Sequence, residues 1–170
     1  MHTKVLSNLN NHMAVLVELL QDCVTSGASV GFLPPVDTQT AQDYWLSVEK
    51  DLQSTPCSRT LIGAFIEEQL VGCVQLAFTN KPNAQHRAEV EKLMVHTRHR
   101  GKGISKALLN HLEEEARVAQ KHLLVLDTRV GDLAADLYRK MDFTEVGQIP
   151  DFALSASGQL DGTIYFYKML

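Results

Sequence analysis

Lys92 to Lys106, reading KLMVHTRHRGKGISK, gathers five of the chain's sixteen lysines and arginines and contains no acid. The chain as a whole carries a formal net charge of -4, so this concentration of positive charge is local. Leu93, Met94 and Val95 form an apolar lead-in. Arg98, Arg100 and Lys102 then interleave with Gly101 and Gly103, and an amphipathic helical pattern starts at Ile104. The chemistry such a turn offers is anion binding. The first N–H groups of a helix have no intrahelical partner, and the helix dipole adds about half a positive charge there. Glycines without Cβ atoms let a phosphate approach the backbone closely. The spacing is not that of a P-loop, because Gly103 precedes Ile104 and no glycine stands five residues before it. It is not the dinucleotide fingerprint either, because Lys106 occupies the place of the third glycine. The competing reading is a basic, solvated helix cap that holds nothing.

Other chemistries find little support. Cys23, Cys57 and Cys73 are widely separated and odd in number, which predicts reduced thiols and a cytoplasmic location rather than disulfides. The seven histidines fall into no metal-ligand spacing, so no metal is expected. The acidic balance argues against a nucleic-acid partner. No apolar run approaches the roughly 18 residues of a membrane span, and the first residues lack the apolar stretch of a signal peptide.

The elements that must position the basic turn are read from periodicity. A length of 170 residues suits one domain over residues 1–170. Met13, Leu16, Val17, Leu20 and Val24 make a helical stripe over 11–24. The sequence TSGASVGFLPPVD predicts a loop. Asp37 or Thr38 can cap a second helix with Ala41, Tyr44, Trp45, Val48 and Leu52 inward, ended by Pro56. Residues 61–66 and 70–78 form a hairpin across Glu67-Glu68-Gln69. Strict alternation from Glu89 puts Glu89, Glu91, Leu93 and Val95 on one face and Val90, Lys92 and Met94 on the other. The helix after the turn buries Ile104, Ala107, Leu108, His111 and Leu112, leaving Glu113, Glu114 and Glu115 solvated. Residues 123–126 are a buried, parallel strand ending at Asp127. A short helix covers 132–140, strands start at Phe143 and Thr163, and 150–162 is a loop. The order α α β β β α β α β β calls for a mixed α/β sheet.

Arg98-x-x-Gly101-x-Gly103 between a strand and a helix resembles the acyl-CoA loop of the GNAT acetyltransferases, whose pattern is [QR]-x-x-G-x-[GA]. Ala134-x-x-Leu137-Tyr138-x-Lys140-x-x-Phe143 is similar to a second pattern of that family. Gly131 and Asp142 depart from the usual asparagine and glycine. GASVGF, KPN, RAEVEKLMV, LDT and IYF resemble a tabtoxin-resistance branch of the family across residues 24–168. The resemblance implies the GNAT fold, a mixed, mostly antiparallel, twisted sheet flanked by helices with a splay between its fourth and fifth strands. It implies acetyl-CoA as cosubstrate and transfer of the acetyl group to an amine by direct attack in a ternary complex. It places the cofactor on Leu93, Met94, Val95, Arg98, Arg100, Gly101, Lys102, Gly103, Ile104, Ser105 and Tyr138. It assigns Asp127 as base and Tyr138 as proton donor to the thiolate, with Glu89 as the other candidate base. Ser29, Phe32 and Arg129 are candidate substrate contacts.

A lysine-like amine of pKa ~10.4 is almost wholly protonated at neutral pH, so a base is useful. The expected acceptor is a small-molecule amine such as an amino-acid-like β-lactam toxin. A protein N-terminus, lysine or polyamine is the alternative, as is a non-catalytic acyl-CoA sensor. The expected assembly is a monomer or homodimer.

Overall fold

The computed structural model describes Met1–Leu170. Its elements run β1 (His2–Val5), α1 (Met13–Thr25), α2 (Thr38–Leu52), β2 (Arg59–Ile66), β3 (Gln69–Phe78), β4 (Arg87–Val95), α3 (Ile104–Val118), β5 (Leu123–Arg129), α4 (Leu133–Lys140), β6 (Thr144–Leu154) and β7 (Leu160–Met169). They form one seven-stranded sheet in the order β1-β2-β3-β4-β5-β7-β6. Only β4 and β5 are parallel neighbours; every other pair is antiparallel. The mixed, mostly antiparallel sheet expected from the sequence is therefore present. The β4–β5 ladder holds only from Arg87↔Leu123 to Glu89↔Val125, and beyond it the two strands part. That is the expected splay between the fourth and fifth strands.

The sheet divides two cores. On one face α1 and α2 cover Leu61, Phe65, Cys73 and Met94. On the other, α3 and α4 cover Ile62, Val74, Val90, Val95, Leu124 and Phe166. Asp37 caps α2 as expected, its carboxylate accepting from the Thr40 N–H at 2.9 Å. The β2–β3 hairpin turns on Glu67 and Glu68, both at positive φ, as a two-residue turn of matching twist requires.

Four expectations are corrected. First, the faces of β4 do not alternate throughout. Lys92 sits at φ 52° and the β3 register slips between Cys73↔Met94 and Gln75↔Glu91. This bulge moves Val95 onto the Val90 face and sends Met94 to the opposite core. Gly72 makes room for it: a Cβ there would lie 2.7 Å from the Met94 carbonyl oxygen. Second, residues 150–162 are not one loop, because β6 extends to Leu154 and β7 begins at Leu160. Third, the chain opens with an edge strand, β1, whose four residues are too few and too polar to show a pattern. Fourth, Glu113 is buried rather than solvated. Its Oε1 accepts from Lys168 Nζ at 2.6 Å, and Lys168 also donates to the Met141 carbonyl at 2.9 Å. One paired charge thereby ties α3, β7 and the end of α4 together.

Candidate active site

The parting of β4 and β5 opens a cleft of about 940 Å³. Its walls come from β4, the loop after α1, the loop before α3, the start of α4 and the β6–β7 hairpin. On its β5 side, β4 has no partner strand past Glu89. The cleft-side backbone of β4 beyond Glu89 is thus available to pair with an extended ligand arm, apart from the Val95 carbonyl, which accepts from Arg100 Nε.

The turn before α3 is built for anions. Gly101 and Gly103 lie at φ 76° and 75°, and Gly103 is the N-cap of α3. A Cβ on either would meet nothing within 4 Å. Glycine is needed here for its left-handed conformation more than for space. No N–H from Gly101 through Lys106 donates to a main-chain carbonyl, whereas Ala107 donates to Gly103 at 3.1 Å. Those free donors converge at the N-terminus of a fifteen-residue helix. Of the expected cofactor contacts, Leu93, Met94, Val95, Arg100, Gly101, Ser105 and Tyr138 line the cleft. Arg98, Lys102 and Gly103 flank it from the exposed side of the turn. The Ile104 side chain is buried in the core, leaving only its N–H to face a ligand. Arg100 is partly engaged: Nε donates to the Val95 carbonyl at 3.2 Å and a terminal nitrogen donates to Ser26 Oγ at 2.7 Å. It holds the turn against β4 and the end of α1. Sequence reasoning missed Ser26 and the Asp22 carboxylate, which accepts from Thr97 N–H and Oγ1 at 2.8 and 2.7 Å; only the structure brings them to the turn.

Across the cleft stand the candidate acid–base groups. Asp127 lies within β5 opposite Tyr165, exposed, and accepts from Thr163 Oγ1 at 2.7 Å. Glu89 faces the same space from β4. Its surface is exposed like that of Asp127, but loss of hydration against the cleft walls lifts its carboxyl above the usual range, and the charges of Glu91 and Asp127 lift it further. Tyr138 is buried, 6% exposed, between Phe143 and Phe166. Burial, then Asp132 and Asp127, push its phenol well above the ordinary value, so it keeps its proton at neutral pH. Ser29, Phe32 and Arg129 all line the cleft. Phe32 packs edge-on to Tyr44 at 5.2 Å. Arg129 stands between Asp132 at 3.9 Å and Asp161 at 3.7 Å. The lining carboxylates (Glu89, Glu91, Asp127, Asp132, Asp161) outnumber the lining cations (Lys92, Arg100, Arg129). No group of three or more histidine, cysteine or acidic side chains is arranged to hold a metal ion, and no helix is long and apolar enough to cross a membrane.

A strand parting from its parallel neighbour, with a glycine turn and helix N-terminus at the mouth of the gap, defines an acyl-CoA transferase fold. The model of the acetyltransferase (GNAT) family matches residues 16–143, and the chain belongs to that family. A streptothricin acetyltransferase from Escherichia coli is 31% identical over 106 residues, which is 62% of this chain and 58% of that protein. A ribosomal-protein-alanine N-acetyltransferase from Brucella melitensis superposes with a TM-score of 0.82 at 23% identity over 100% of both chains. A Salmonella typhimurium protein solved with its cofactor acetyl-CoA gives 0.80 at 19% identity, covering 100% of this chain and 95% of that one.

Proposed function

We propose that this protein transfers the acetyl group of acetyl-CoA to a primary amine of a small, cationic molecule. The observation that carries the reading is the row of unengaged N–H groups from Gly101 to Lys106 at the open end of the β4–β5 cleft. Bound acetyl-CoA would supply an activated acyl thioester. The turn's N–H groups would hold the diphosphate, with Arg98 and Lys102 adding charge from the rim. The unpaired edge of β4 would hold the pantetheine arm, and a main-chain N–H near Met94 or Val95 would stabilise the oxyanion. One such donor is typically worth ~3–4 kcal/mol at the transition state.

The reaction requires a neutral amine. Nitrogen bonds to the acyl carbon, the carbon–sulfur bond breaks, and one proton passes from nitrogen to a base. Glu89 suits that task better than Asp127, because its proton affinity is raised toward the working pH and its carboxylate is not engaged within the chain, whereas Asp127 accepts from Thr163. Asp127, positioned by Thr163, would hold the acceptor ammonium before deprotonation. Tyr138 would donate a hydrogen bond, and then a proton, to the departing thiolate. A free thiol and a free phenol titrate near ~8.5 and ~10, and burial makes that transfer still more uphill.

The excess of lining carboxylates favours a cationic acceptor over an anionic one. The likeness to a streptothricin acetyltransferase supports a small-molecule acceptor and a resistance role; an amino-acid-like β-lactam toxin, which also carries a carboxylate, would need Arg129 to receive that group. Thiol release from acetyl-CoA across a panel of amines tests the reading. Release with cationic amines, falling about a hundredfold in kcat for Tyr138→Phe, is expected. No release with any amine, despite acetyl-CoA binding, would leave a sensor rather than an enzyme.

A further inference from the structure

Behind the acceptor wall lies a polar chain that the transfer chemistry does not use. Gln75 is a central residue of β3 and is fully buried, at 0% exposure. Both ends of its amide are engaged. Nε2 donates to the Tyr44 hydroxyl of α2 at 2.8 Å, and Oε1 accepts from an Arg59 terminal nitrogen of β2 at 2.6 Å. The same Arg59 nitrogen donates to Glu91 Oε2 at 2.6 Å, and Arg59 Nε donates to Asp51 at 3.1 Å. Tyr44 in turn packs on Phe32 of the cleft rim and on Trp45. Phe32 and Glu91 both line the cleft, while Gln75 and Arg59 do not reach it.

An apolar residue would fill a buried β3 position without needing partners, and a half-satisfied network there is worse than none. The arrangement is therefore informative about what it holds. Glu91 is fixed by one oxygen alone: Oε2 is held by Arg59, and Oε1 accepts from nothing in the chain. Lys92, on the same stretch of β4, stands with its ammonium 5.8 Å over the Tyr44 ring and makes no ion pair with Glu91.

Building on the amine acetyltransferase reading, we propose that Gln75 is a positioning residue for acceptor selection. It locks Tyr44 and Arg59 into one unit, so that the Phe32 rim and the free oxygen of Glu91 keep a fixed separation across the pocket. The acceptor class this selects is an amine bearing a second N–H donor, which Glu91 Oε1 receives while the first nitrogen reacts.

The test is steady-state kinetics on Gln75→Leu, Tyr44→Phe, Glu91→Gln and the Gln75→Leu/Glu91→Gln double variant, with a linear diamine and the monoamine of equal length. Gln75→Leu should raise the diamine KM about tenfold, the loss of one charge-assisted hydrogen bond. It should leave the acetyl-CoA KM and the monoamine KM within about twofold. The double variant should be no worse than Glu91→Gln, because Gln75 acts through Glu91. Tyr44→Phe keeps the ring packing and should give a smaller rise of the same kind, which settles the matter if Gln75→Leu does not fold. Equal rises in both amine KM values, or additive effects in the double variant, would overturn the assignment. Absence of turnover by the unaltered protein with every amine would remove the transferase reading and this one together. Turnover with no diamine preference in the unaltered protein would remove this one alone.

Discussion

Replacing Gly103 by alanine separates the two things that residue does. Its φ of 75° is a conformation that an L-residue adopts at a cost of roughly 1–2 kcal/mol. Nothing lies within 4 Å of the added Cβ, so no steric term is added. At this chain length each kcal/mol lowers Tm by about 2–4 °C, giving a fall of ~2–8 °C. The effect on acetyl-CoA should be larger in proportion. Relaxing φ at the N-cap turns the N–H groups of Ile104 and Ser105 away from their common target. Losing one charge-assisted hydrogen bond, at about 1.5–3 kcal/mol, weakens binding about 10- to 100-fold. The control is Gly158→Ala in the β6–β7 hairpin, at φ 80° with open space around it. It should show the same fall in Tm and no change in affinity. Calorimetric titration with acetyl-CoA, beside thermal melts of both variants, decides the matter. Equal affinities for the two variants would refute the claim that this turn's main chain holds the cofactor.

Other expectations concern charge and packing. Because the Glu89 carboxyl is raised, catalysis should switch on as pH rises through its folded value. Glu91→Gln removes a neighbouring negative charge and should shift that acid limb of kcat/KM to lower pH, while Glu89→Gln abolishes it. For stability the sign is opposite: a carboxyl with a raised folded value favours the fold at low pH and loses that contribution as pH rises through it. Glu89→Gln should therefore raise Tm at neutral pH and leave it unchanged well below pH ~4.5; melts across pH check this. Glu113→Ala leaves the Lys168 ammonium without its buried partner and should lower stability by about 3–5 kcal/mol in denaturant titrations. Gly72→Ala would press a Cβ against the Met94 carbonyl, disturbing the β4 bulge and raising the acetyl-CoA KM while leaving the acceptor KM nearly unchanged.

Much of this site was legible in the residues because its parts are local. The basic turn, its two glycines and the helix after it form one continuous stretch, and the structure keeps them as the sequence suggests. What was not legible depends on neighbours remote in the chain. The bulge at Lys92 follows from Gly72 on β3, and no periodicity within β4 announces it. The exposure of Asp127 and the raised Glu89 depend on how far β5 diverges from β4. Glu113 reads as one of three solvated glutamates until Lys168, from the last strand, reaches it. Ser26 and Asp22 hold the turn from the other side of the sheet. The β6–β7 hairpin was obscured because β6 is an edge strand with exposed apolar residues and a break at Pro150-Asp151, which mimics a loop in sequence.

The central claim is that the main chain from Gly101 to Lys106 receives the diphosphate of coenzyme A. Amide resonances of the isotopically labelled protein, followed during titration with coenzyme A and then with a 3′-dephospho analogue, test it most directly. Large downfield shifts of the Gly101–Lys106 amides with both ligands are predicted, since both carry the diphosphate. Saturable binding that leaves those amides unmoved while shifting others would contradict it.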